Sequence, residues 1–109
     1  MLETSKHKLS VREETIAQQA LKQAYEREIS ALMTHVRDRA NSITKIEDLW
    51  YLHDLLSTKR FEIDGKYTYD FATFVFDCAR LVQEGWLKIE DLQGLPSTTL
   101  SKISALARM

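Results

Sequence analysis

The stretch "LWYLHDLLSTKR", Leu49 to Arg60, places Leu49, Leu52 and Leu56 three and four residues apart, the repeat of one face of an α-helix. Beside that stripe stand Trp50, His53, Asp54 and Arg60, which a helix with a core face does not require. Upstream, Thr44 with Glu47 three residues on forms a capping signature that predicts a helix beginning at Lys45. Ile46, Leu49, Leu52, Leu56 and Ile63 make its expected core stripe, and Gly65 in "DGK" supplies the left-handed residue that ends it.

The same signals divide the rest of the chain. Ser10 and Glu13 in "SVREE" form a second capping box, followed by a long stripe through Leu21, Tyr25, Glu28 or Ile29, Leu32, Val36 and Ala40. Asp70 is the expected cap of a third helix that turns Phe71, Phe74, Val75, Cys78, Leu81 and Val82 one way and stops at Gly85. "WLKIEDLQGLP" reads as a short helical turn and a loop, and Ser97 opens a last helix with Leu100, Ile103 and Leu106 inward or half inward. The fold class is all-α: a hairpin-like or bent two-helix part, residues 1–65, and a cap of short helices, residues 66–109, joined at the soft connector Lys66 to Tyr69.

With 109 residues the chain has the length of one domain, and such a domain buries about two thirds of the surface its unfolded chain exposes. An elongated arrangement of it therefore calls for a partner subunit. A formal net charge of -1, from 15 basic and 16 acidic residues, gives no field that collects nucleic acid. The polar start "MLETSKHKLS" and the lack of an apolar run near the ~20 residues of a membrane span predict a soluble, cytoplasmic protein. Cys78, in the apolar "FVFDCARLV", reads as a small buried hydrophobe, since no basic neighbour is expected to activate its thiol.

Catalysis finds little support. Ser57, His53 and Asp54 hold the residue types of a nucleophile, a base and an orienter, but Asp54 follows His53 directly and is expected to point about 100° away from it on a helix. No glycine-rich elbow or anion cradle accompanies them, and His7, His35 and His53 lack metal-ligand spacing. The expectation is no enzyme, no metal and no cofactor. Two readings of the polar cluster stay open: Trp50 as a core aromatic, with His53 at the border and Arg60 an i to i+4 partner of Asp64, or the cluster as an association surface, where Trp and Arg are enriched. Periodicity does not separate them.

The run "ITKIEDLWYLHDLLSTKRFEIDGKY", Ile43 to Tyr67, resembles the signature of the cyanobacterial fluorescence recovery protein family, and the terminal "SKISALARM" resembles that family's C-terminus. The resemblance implies an all-helical, elongated antiparallel homodimer without a chromophore. It also implies binding of the photoactivated red form of the orange carotenoid protein, faster return of that form to orange, and its detachment from the phycobilisome, which ends light-induced quenching. Such a protein would work in the cytoplasm, at most peripheral to thylakoid-associated phycobilisomes. Carried over by position, Leu49, Trp50, His53, Asp54 and Arg60 match the family's dimer-interface and activity patch, while Phe76 and Lys102 match residues of the head that touches the carotenoid protein. By residue type alone, Phe76 also reads as a core aromatic and Lys102 as a solvated helix lysine. A generic helical dimerisation or scaffold module without a photoactive client is the alternative function.

Overall fold

The structure, a computed structural model, describes residues 9–109; His7 lies outside them. The all-α expectation holds: α1 spans Val11–Asn41, α2 Ile46–Ile63, α3 Phe74–Glu84 and α4 Ser97–Ala107, with a 3-10 turn at Ile89–Leu92 and no strand among the described residues. Ser10 caps α1 reciprocally. Its hydroxyl accepts from the Glu13 backbone N–H at 3.1 Å, and the Glu13 carboxylate accepts from the Ser10 N–H at 2.9 Å.

Two helix starts differ from the sequence expectation by local hydrogen bonding. α2 begins at Ile46 rather than Lys45, and the acid that reaches back is Asp48, not Glu47. Its Oδ2 accepts from the Thr44 backbone N–H at 3.1 Å and from the Thr44 hydroxyl at 3.2 Å. Those bonds, the backbone one foremost, hold the Asp48 carboxyl below the usual carboxylate range. Asp70 closes a turn instead of capping α3: its carboxylate accepts from the Ala72 N–H at 3.0 Å, and the helix starts only at Phe74, with the Thr73 hydroxyl donating to Asp77 at 2.7 Å.

Contacts divide the chain into two compact units, one made of the stretch up to Tyr25 with Tyr69–Met109, the other of Glu26–Thr68. α1 thus gives its first half to one unit and its second half to the other, a grouping that a cut at 65/66 along the chain does not express. Among the described residues, the buried apolar side chains other than Leu52 all lie in the first unit. There α1 buries Ala17, Ala20, Leu21 and Ala24, α3 buries Phe74, Cys78, Ala79 and Leu81, and the C-terminal segment adds Leu87, Leu92, Leu95 and Ile103. Small alanines on α1 let the neighbouring backbone come close, and the approach is tightest at Gly94, where an added Cβ would stand 2.6 Å from the Ile16 Cδ1. Gly94 also has φ 107, a conformation costly for any L side chain.

In the second unit the C-terminal half of α1 and α2 form a hairpin joined by Ser42 to Lys45. The Arg39 guanidinium lies over the Tyr51 ring, 4.3 Å from its centroid, near the closed end. Beyond the C-terminus of α2, Lys66 and Tyr67 both donate to the Glu28 carboxylate of α1.

Gly85 ends α3 with φ 89 and a backbone bond from Trp86 N–H to Leu81 O, and an added Cβ there meets nothing within 4 Å. Gly94→Ala is therefore expected to lower the thermal midpoint more than Gly85→Ala, since only the first adds a collision to a conformational cost of about 1 kcal/mol. Equal shifts in calorimetry would contradict the close packing.

Candidate functional site

α2 shows its own chain an unexpected face. At about 100° per residue, Asp48, Leu52, Leu55, Lys59 and Ile63 form one stripe, and these are its residues that are buried or half-buried; the others are exposed. The covered stripe is rotated roughly 60° from the one predicted through Ile46, Leu49, Leu52, Leu56 and Ile63. Of the predicted set, Leu52 alone is buried, while Ile46, Leu49 and Leu56 are exposed. The physical reason is that Asp48 takes part in the Thr44 turn and Lys59 lies near enough to Glu28 to act on its charge, which turns both toward α1.

The opposite flank gathers what the helix has left. Leu49, Arg60, His53, Ile46, Ser57, Trp50 and Phe61 fall within about a third of the circumference, with Asp54 at its edge. Trp50 is 57% exposed and Leu49 44%, so neither is a core residue of this chain. Trp50 meets the His53 ring edge-on, centroids 6.3 Å apart and planes at 89°. His53 Nδ1 lies 3.2 Å from Asp54 Oδ1.

That last contact corrects the expected divergence of His53 and Asp54: both side chains bend along the helix surface until they touch. Both remain largely in solvent, where such a pair stabilises little. The structure thus brings Trp50, His53 and Asp54 into one contiguous strip and sets Leu49 and Arg60 on the same flank.

In the other unit, Phe76 is 65% exposed on α3, against the reading of it as a core aromatic, because Phe74 and Cys78 on either side take the inward positions. Lys102 is exposed on α4. Cys78 is fully buried, and burial, with the nearby Asp77 charge, pushes its thiol up to about 12.

A polar residue that the sequence reading did not single out is Glu28, 6% exposed and on the α1 stripe. Burial raises its carboxyl, but hydrogen bonds from Lys66 and Tyr67 and the charges of Lys66 and Lys59 outweigh that and hold it below its ordinary value. An acid at a stripe position was the available signal. Among the described residues, no helix is long and apolar enough to cross a membrane.

An all-helical protein with its core in one unit and its largest bare apolar flank on the other's central helix is, by class, an association module rather than a pocketed enzyme. Residues 9–107 match the family described as photoprotection regulator fluorescence recovery protein. Over 109 residues, all of both chains, the sequence is 43% identical to the fluorescence recovery protein of a Synechocystis strain. The fold is similar to the solved fluorescence recovery proteins of Fremyella diplosiphon (49% identity, TM-score 0.87) and Synechocystis (43%, 0.88), each match covering 94% of this chain and 100% of the other. The chain belongs to the fluorescence recovery protein family of photoprotection regulators.

An aromatic disulfide reagent at mildly alkaline pH is expected to leave Cys78 unlabelled in the folded protein and to label it fully in denaturant. Rapid labelling of the native chain would contradict its burial.

Proposed function

We propose that this chain works as an antiparallel homodimer that binds the photoactivated red form of the orange carotenoid protein, speeds its return to the orange form and releases it from the phycobilisome. The observation that carries the assembly half is the bare flank of α2, where Leu49, Trp50 and Phe61 are exposed together. Covering one such side chain is worth on the order of 1.5–3 kcal/mol, and a two-fold seam uses each residue twice. Trp50 serves as the anchor, with His53, Asp54 and Arg60 fixing register. Residues 1–65 form the assembly part and 66–109 the client-binding head.

The client half rests on family membership and on the exposed Phe76 and Lys102. A binder accelerates a two-state client only by holding the barrier state, or the compact arrangement it leads to, more tightly than the open one. Each ~1.4 kcal/mol of that preference gives tenfold in rate. The head does this by docking a surface that the red form exposes and drawing the client's two domains back together. The work is done in the cytoplasm, at the phycobilisome, without bond chemistry.

Sedimentation at micromolar concentration is expected to find the parent dimeric and Leu49→Glu or Trp50→Ala shifted toward monomer; an intact dimer in both variants would remove the seam. For the client, the parent mixed with illuminated orange carotenoid protein should speed colour recovery in the dark. Phe76→Ala and Lys102→Glu should slow that recovery while staying dimeric, and unchanged rates in both would take these residues out of the head's contact.

A further inference from the structure

α2 is held against its own chain by little apolar packing. Leu52 is its one fully buried side chain, and two of the residues on its covered stripe, Asp48 and Lys59, are charged. Its ends are tied by polar contacts instead. At the N-terminal end these are the Thr44 to Asp48 bonds and Arg39 over Tyr51. At the other end, the backbone N–H of Asp64 donates to Arg60 O at 3.0 Å and that of Lys66 to Ile63 O at 3.0 Å, carrying the chain to the clamp. There the Lys66 Nζ donates to Glu28 Oε1 at 2.8 Å, the Tyr67 hydroxyl donates to the same oxygen, and the Lys66 side chain is only 10% exposed.

We infer that Glu28 is a positioning residue for the association flank: through Lys66 and Tyr67 it fixes the last turns of α2, and with them the places of Arg60 and Phe61, so that the flank meets a second copy in one register. The inference rests on the homodimer reading. The physical ground is the asymmetry of buried charge. A paired buried ammonium need not add stability, but one left alone in a nearly closed site is strongly unfavourable, and the cheapest relief is for the segment carrying it to move into water. Lys66 lies three residues past the end of α2, so its departure loosens the helix end before it disturbs the buried apolar core, which lies in the other unit. The groups that face the Glu28 carboxylate are Lys59 on α2 and Lys66 and Tyr67 on the connector, all of which favour its ionised form.

The test compares the full-length parent with Glu28→Gln, which keeps shape and acceptor but drops the charge, and with Glu28→Gln combined with Lys66→Gln, which also removes the stranded cation. Three quantities are read: the dimer dissociation constant by sedimentation equilibrium, amide exchange in the last turn of α2, and helix content by circular dichroism. Expected for Glu28→Gln is a dissociation constant raised about tenfold or more and faster exchange at Asp64 and Lys66, with helix content unchanged. The double variant should recover most of the affinity, a rescue that a general loss of packing would not give. As pH falls through the depressed value of Glu28, the parent should lose the part of its affinity that Glu28→Gln already lacks.

A dimeric parent whose Glu28→Gln variant dimerises equally well would overturn the inference alone, as would a broad loss of helix or no rescue in the double variant. A parent that is monomeric at every concentration would overturn the homodimer reading and this inference with it.

Discussion

α2 turns its poorer face inward. The stripe it offers its own chain includes an aspartate and a lysine, while Ile46, Leu49, Trp50 and Phe61 point away. That choice sets the rest. An isolated helix of this length is marginal in water, so α2 must be held either by its neighbour α1 or by something outside the chain. α1 supplies Leu52's burial, a cation over a ring and a buried carboxylate, and the outward flank supplies the reason for a second copy.

The division of labour between the two units follows from where apolar residues are spent. The unit built from the start of α1, α3 and α4 holds the buried core, with alanines on α1 and Gly94 allowing close approach. It can therefore present Phe76 and Lys102 on its surface without loss of packing. The hairpin unit is secured by polar contacts at both ends and keeps its large hydrophobes outside. A protein that works by gripping itself and a client is well served by that arrangement, because the surfaces used for association are not also needed for folding.

Much of this was legible in the letters. The four helices, the reciprocal Ser10 and Glu13 cap, the positive-φ glycines at 65 and 85 and the burial of Cys78 follow from spacing and local chemistry. The two sticky faces of α2 were visible as well. Which face turns inward was not, because a leucine stripe at 49, 52 and 56 looks like a core until the turn at Thr44 and the pull of Glu28 on Lys59 rotate the helix away from it. Phe76 was ambiguous for the same reason: apolarity gives the desire for burial, and only the placement of Phe74 and Cys78 decides who receives it. The clamp at Glu28 joins residues 38 positions apart, beyond the reach of any local pattern.

The claim on which the account turns is that the Trp50 indole is covered by another molecule of the same chain. With Trp86→Phe, Trp50 is the sole indole, and acrylamide quenching of its fluorescence can be followed from dilute to concentrated protein. The account predicts a quenching slope that falls as concentration rises through the dimer dissociation constant. A slope that stays at the value of an open indole at every concentration would contradict it.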